Sequence, residues 1–406
     1  MTRIASIKKL RSPAVGRAVL IGFLGIIVSY FALANAISNV TAKSNPERSL
    51  LFWQNGEAQL ARTDRLLTEL DDEVVRGRLV AWAKAAVQDS PLNAGAVRNY
   101  ALAKMYGDDR SASLRALDVA QRISRRDLGV QLQLATNAAE GNNLEKALQH
   151  YSNALSTHVS SHQLIFPVLS QAIGNKLLDE PFAKLIGTKP LWVNDFISFV
   201  LAQGRGSEGL ARVLRKSNGV PAGPEKTMLE KRIIQALVND GAAYEVRAFY
   251  LSLANADKSL ITSTSISTDD FSIVLPPVSW TMTQTSDILT EFDADRQALK
   301  TQVAARMSGV VAQKMLFWPP GVYDISMQSQ VIGQAPGASL TWTIFCISKA
   351  EPLKIIESGI TANARIAIDG RCPAQLLEIR AAGGTAADGM VALILGFDVE
   401  SAGRAR

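Results

Sequence analysis

Three histidines and two cysteines are the chain's whole supply of the side chains most often used as metal ligands or nucleophiles, over 406 residues. His158 and His162 stand four apart, which would place both on one helix face. No HExxH accompanies them, and no carboxylate follows within the next turn, so they do not read as a metal pair. A solvated helix end ahead of Pro167 is the plainer reading, and His150 stands apart from both. Cys346 and Cys372 have no neighbouring histidines and cannot complete a tetrahedral zinc site. No G-x-S-x-G, P-loop or dinucleotide fingerprint occurs in a strand–helix context, and Gly204-Arg205-Gly206 lacks a lysine partner. Glycoside cleavage would need two carboxylates flanking a sugar bond. Asp71-Asp72, Asp269-Asp270 and Glu291/Asp293/Asp295 are available, but their polar, loop-like surroundings describe solvated acids. The expectation is a protein without catalytic residues, metal or cofactor.

Charge placement narrows the partners. The formal net charge is +6, and Arg3, Lys8, Lys9, Arg11 and Arg17 supply most of it without an acid among them. The remaining body is nearly neutral, so it lacks the basic face that phosphate-backbone binding requires, and no nucleic acid is expected. The basic stretch leads into Ala18 to Ile37, uncharged throughout. As a helix this segment would be about 30 Å long, the thickness of a bilayer core. The positive flank stays cytoplasmic, which sends the bulk of the chain to the far side. An uncleaved single-pass anchor is the favoured reading, because the apolar run is long for a signal peptide. The alternative is cleavage after Ala34 or Ala36, leaving a soluble exported protein. A single span with an alanine-rich body looks bacterial, and the far side is then the periplasm.

From about 47 to 255 apolar residues recur at helical spacing. Asp89-Ser90-Pro91, Gly107-Asp108-Asp109, Gly141-Asn142-Asn143 and Gly174-Asn175 break the pattern into short helices. Shifted by 34 residues, Ala101 falls on Ala135, Gly107 on Gly141, Leu114 on Leu148, Leu117 on Tyr151 and Ala120 on Ala154. At 259–270 the Ser/Thr run SLITSTSISTDD reads as linker or first edge strand. Strand-like segments follow, FSIVLPPVSWTMTQ, GVVAQKMLFW, GVYDISMQSQV, SLTWTIFCIS, ARIAID and MVALILGFDVE among them, separated by Gly/Pro-rich turns. Strands at this spacing without intervening helices suggest a β-sandwich.

Two resemblances rest on these patterns. The 34-residue period and DLGVQLQLATNAAEGNNLEKALQHYSNAL resemble tetratricopeptide repeats, with two recognisable units. Carrying that family's groove-lining positions over points to Arg98, Leu102, Met105, Leu132 and Thr136, with Ala139, as a surface for a protein partner or simply as residues buried between helices. In the strand region the order W-PPGxYxISM, L-x-W-x-I-x-C, C-P-A-Q-x-L-x-I resembles galactose-binding jelly-roll domains of carbohydrate-binding modules. It is most like those attached to tetratricopeptide arrays in polysaccharide-associated envelope proteins of bacteria such as sphingomonads. The implied architecture is α then β: a transmembrane helix at 18–37 after a basic segment at 1–17, a repeat domain at 47–255, a linker at 256–270 and a jelly-roll at 271–400. Glycan stacking would use exposed rings, and Trp280, Trp318 and Phe345 are the candidates, although packing is the commoner fate of each. Trp342 and Tyr323 have core parity.

The function these features imply is a non-enzymatic, inner-membrane-anchored periplasmic adaptor. It would hold an envelope protein through its repeats and a polysaccharide through its sandwich, in surface-polysaccharide synthesis or export. The alternative is a pure protein–protein scaffold whose sandwich binds nothing; a glycan-active enzyme is the third reading. Alternation places Leu340, Trp342, Ile344 and Cys346 on one strand face. An even cysteine count in an exported domain suggests a Cys346–Cys372 bridge, worth roughly 3–4 kcal/mol in the chain-entropy model, as against two buried thiols. Thiol labelling of the denatured, unreduced protein is expected to find no free cysteine. Two labelled thiols per chain would remove the bridge and weaken the assignment to an oxidising compartment.

Overall fold

The computed structural model describes residues 13–68, 73–107, 109–268, 275–333, 336–347, 352–357, 361–385 and 387–403. Asp71-Asp72, Asp269-Asp270 and the basic residues before 13 lie outside the described residues. The chain divides into two compact units, the first ending at His162 and the second starting at Gln163.

The first unit is helical. Its elements are α1 (Pro13–Thr41), α2 (Pro46–Phe52), α3 (Gly56–Leu66), α4 (Glu73–Asp89), α5 (Ala94–Tyr106), α6 (Arg110–Ile123), α7 (Leu128–Glu140) and α8 (Leu144–Thr157). The Arg17–Thr41 part of α1 is long and apolar enough to cross a membrane. Six helices begin at an Asn or Asp: Asn45, Asn55, Asn93, Asp109, Asp127 and Asn143 each accept a backbone N–H two or three residues on. Such caps satisfy donors that the first turn leaves unpaired and contribute about 1 kcal/mol apiece. Helices α5 and α7 begin 34 residues apart, at Ala94 and Leu128, and so do α6 and α8, at Arg110 and Leu144. Ala101, Ala120, Ala135 and Ala154 are fully buried at the helix contacts, where a larger side chain would hold the backbones apart.

Polar contacts add register to that packing. The Arg98 guanidinium reaches Asp64 at 3.1 Å and Asp127, the cap of α7, at 3.3 Å. Asn99 donates to Asp64 at 2.7 Å and to Thr63 at 2.8 Å, so one cluster ties α3, α5 and the start of α7. Gly129 makes room for it: a Cβ there would lie 2.3 Å from the Arg98 guanidinium. Between α7 and α8, the His150 Nδ1 meets Gln131 Oε1 at 2.9 Å, and Gln131 Nε2 donates to the Arg125 carbonyl at 3.0 Å. This arrangement gives His150 the Nδ1–H tautomer.

The second unit carries α9 (His162–Ala172) from its second residue on, then α10 (Asp179–Gly187), α11 (Val193–Ala202), α12 (Ser207–Lys216), α13 (Lys226–Asn239) and α14 (Ala243–Ser252). Phe166, Phe182, Trp192 and Phe196 form its helical aromatic core. Arg212 pairs with buried Asp179 at 3.0 Å. The strands follow: β1 (Thr281–Met282), β2 (Ile288–Asp293), β3 (Ala298–Val303), β4 (Ser308–Leu316), β5 (Gly321–Gly333), β6 (Ala338–Cys346), β7 (Pro352–Glu357), β8 (Thr361–Ile368), β9 (Gln375–Gly383) and β10 (Met390–Gly403). They form two antiparallel sheets, ordered β1-β4-β9-β6-β7 and β2-β3-β10-β5-β8.

One buried core serves both sheets. Leu340, Trp342, Ile344 and Cys346 of β6 share it with Leu299, Ile325, Met327 and Ile394 from the other sheet. Cys346 and Cys372 are joined as a disulfide, with Cα atoms 5.5 Å apart. The expected first strand over FSIVLPPVSWTMTQ differs in the structure. Residues 271–274 lie outside the described residues, Leu275–Ser279 is a turn through the proline pair, and strand pairing starts only at Thr281. The expected linker is not a free one either. Leu260, Ile261 and Ile266 are buried, because this segment places apolar side chains among the Ser and Thr residues.

Burial pushes the His150 imidazole below its ordinary value, with a smaller contribution from nearby Lys146 in the same direction. The unfolded chain therefore binds the proton first, and stability is lost as pH falls through about 6.5, where free histidine titrates. Denaturant unfolding is expected to show the first unit weaker near pH 5 than near pH 7.5. In His150→Gln that difference should shrink. An unchanged pH dependence in the variant would assign it to other groups.

Candidate functional site

The residues singled out for stacking are used otherwise. Trp280 and Trp318 are 3% and 4% exposed, inside the shared core. Trp280 stacks on Phe397 with centroids 6.3 Å apart, and Trp318 on Tyr323 at 5.2 Å. A buried indole N–H needs an acceptor, and both find one in the same short segment. Trp318 Nε1–H donates to the Thr262 carbonyl at 2.8 Å, and Trp280 Nε1–H to the Ser265 carbonyl at 2.8 Å. Thr264 Oγ1 donates to the Phe397 carbonyl at 3.2 Å. Neither tryptophan presents a face to a ligand. Phe345 is half-buried on the face of β6 opposite Trp342.

The segment so fixed lines a cleft of about 1010 Å³ together with β5, β8 and β10. Antiparallel register sets polar residues there in rows. Glu400, Asp324 and Arg365 stand opposite one another across β10, β5 and β8, and Asp398, Ser326 and Asn363 make the next row. Between the rows Val399, Ile325 and Ala364 have the opposite parity; Ile325 and Ala364 belong to the core. Ser263 and Ser265 complete the polar lining.

Electrostatics define what the cleft accepts. Arg365 forks onto Asp324 with two bonds of 2.7 Å, which hold the Asp324 carboxyl below its ordinary value. Asp398 accepts from Gln328 at 2.8 Å. Three carboxylates face one guanidinium that is already paired, so an anion entering here meets uncompensated negative charge. Hydroxyl, amide and carboxylate groups side by side suit a neutral, hydroxyl-rich ligand, which both donates and accepts. Among the described residues no group of three or more His, Cys, Asp or Glu side chains is placed to hold a metal ion.

The positions expected to form a partner groove fare differently. Arg98 is spent on Asp64 and Asp127, because the helix contact supplies two acids that neutralise it. Leu102, Met105 and Leu132 are half-buried, and Thr136 and Ala139 are exposed on α7. His158 and His162 do not form a pair: each nitrogen meets a different backbone carbonyl, of Arg126 at 2.6 Å and Leu155 at 3.4 Å. Glu291 pairs with Lys300 and Asp293 with Arg296, as solvated acids do. Sequence reasoning missed Asp324, Ser326, Asn363, Arg365, Asp398 and Glu400. Their signal is polar residues at alternate positions in DIS, NAR and DVE, which becomes a site only when register brings the three strands together.

No protein-family model matches the sequence, and no curated protein matches it. Among solved structures the chain is similar to the carbohydrate-binding module TmCBM61, determined in complex with β-1,4-galactotriose. That likeness has 10% identity and a TM-score of 0.22, and covers 30% of this chain and 88% of that one. It is also similar to an accessory secretory protein 1, 2 and 3 structure from Streptococcus pneumoniae, at 9% identity and a TM-score of 0.22, over 29% of this chain and 88% of that one.

Trp318→Phe keeps an aromatic ring but leaves the Thr262 carbonyl without its donor. It should lower the unfolding free energy of the second unit by roughly 1–3 kcal/mol and speed proteolysis at 262–265. Wild-type stability and an unchanged cleavage pattern would mean that the indole N–H does not hold this segment.

Proposed function

We propose that the protein is a membrane-anchored adaptor of the bacterial envelope, with most of the chain in the periplasm. Its two-sheet region acts as a sandwich-type binding module for a neutral, hydroxyl-rich glycan, held in the cleft over β5, β8 and β10. Its helical array acts as a repeat surface for a protein partner. The observation that carries this reading is the cleft, with its in-register rows of hydroxyl, amide and carboxylate groups. The anchor is supported by α1, which runs unbroken through Ala34 and Ala36 to Thr41. Ala34 is buried against the folded unit, so the apolar helix packs on the domain it precedes. The disulfide fits an oxidising compartment. A role in surface-polysaccharide synthesis or export rests on the sequence resemblance. The adaptor would work by raising the concentration of glycan beside its protein partner at the membrane.

We infer no catalysis. A glycosidase acid must be held protonated near neutral pH, and the Arg365 fork acts on Asp324 in the opposite direction. One observation favours the rival scaffold reading: Trp280 and Trp318, the rings best suited to a sugar face, are structural.

The test is titration of the full chain in nanodiscs with neutral fragments of the source strain's surface polysaccharide. Asn363→Ala with Asp398→Ala, both exposed, should weaken binding about tenfold, corresponding to about 1.4 kcal/mol, with the melting temperature retained. Saturable binding unaffected by the pair would place the site elsewhere, and no binding of any fragment would favour the scaffold.

A further inference from the structure

The base of the first unit carries an exposed aromatic patch beside the apolar helix. Residues 34, 38 and 42, one turn apart, form the side of α1 and its extension that the folded unit covers: Ala34, Ser38 and Ala42 are all buried. Helix α2 turns back along this side. Ser49 Oγ donates to the Ser38 carbonyl at 2.7 Å, and the two hydroxyls meet at 2.8 Å. Asn55 Nδ2 donates to Asn39 Oδ1 at 2.7 Å. Four residues past Ser49, Trp53 sits edge-on to Phe31, with centroids 5.5 Å apart. The Trp53 backbone lies at the level of Ser38, whose Oγ donates to the Trp53 carbonyl at 3.3 Å, and the indole reaches from there to the Phe31 ring. The end of α2 exposes Leu51 (85%), Phe52 (40%) and Trp53 (41%), and Trp53 joins them to exposed Phe31 (47%) and its neighbour Tyr30 (65%) on α1.

Five large apolar side chains clustered in water would be costly for a soluble surface. Their position supplies the reason. Phe31 lies about 20 Å along the helix axis from Arg17, whose long side chain can reach the inner headgroups. In a hydrocarbon core about 30 Å thick, that level falls in the outer third. Tryptophan and tyrosine favour this boundary, where the ring is apolar and its N–H or O–H finds headgroups or water.

We propose that Tyr30, Phe31, Leu51, Phe52 and Trp53 form a membrane-docking surface, seated at the acyl–headgroup boundary of the outer leaflet, so that the end of α2 dips into the bilayer beside the span. The proposal rests on the reading of α1 as a retained anchor.

The experiment uses the full chain in phosphatidylethanolamine/phosphatidylglycerol nanodiscs. Because both native cysteines are bridged, Leu51→Cys, Leu92→Cys and Ile26→Cys can each carry a single environment-sensitive fluorophore. The expected result is blue-shifted emission at 51, quenched most by lipid spin-labelled near the headgroup, with water-like, unquenched emission at 92. Position 26 should be quenched most by lipid labelled deep in the chain. Emission at 51 matching that at 92 while 26 is quenched would overturn the docking surface and leave the anchor standing. Deeper quenching at 51 than near the headgroup would also overturn it. An unquenched 26 would remove the anchor reading itself.

Discussion

Two indole N–H groups, buried by their own bulk, must each find an acceptor, and that requirement organises the part of the second unit that lines the cleft. Trp280 and Trp318 satisfy it on the carbonyls of Ser265 and Thr262, three residues apart in a segment with no strand partner of its own. Backbone that would otherwise pair with water is drawn against the sheets and becomes a lining of the cleft. The same burial fixes Phe397 against Trp280 and leaves its carbonyl for Thr264. Core packing and site shape are one arrangement here, so a change to either tryptophan would reach the cleft without touching its lining.

The helical unit solves a different problem. Short helices gain little from propensity alone and depend on packing and on satisfied ends. Asn and Asp caps define where each begins, alanines set how near the axes approach, and one guanidinium shared between Asp64 and Asp127 adds register. Gly129 is part of that device, since a side chain there would occupy the guanidinium's place.

Much of this was legible because it is local. The 34-residue shift found by comparing the sequence with itself is the spacing at which α5 and α7, and α6 and α8, begin. Alternation over 340–346 marks the inward face of β6, and it ends at the cysteine that pairs with Cys372. The cleft was not legible, since Asp324, Arg365 and Glu400 meet only through the register of strands far apart in the chain. The tryptophans are a related case. Packing was the commoner fate expected of Trp280 and Trp318, but the acceptors of their N–H groups were not legible, because they lie 15 and 56 residues earlier in the chain. Arg98 looked available to a partner until α3 and the cap of α7 each supplied an acid.

The disulfide encloses more than a turn. Between Cys346 and Cys372 lie β7 and β8, each the last strand of its sheet. Terminal strands offer unpaired backbone groups to any neighbouring chain and are where sheets recruit strangers or exchange segments. Closing both into one covalent ring bounds how far either can peel away, even when its hydrogen bonds open. The bridge thus serves as a hem along one side of the fold, limiting the openings through which one copy could stick to another.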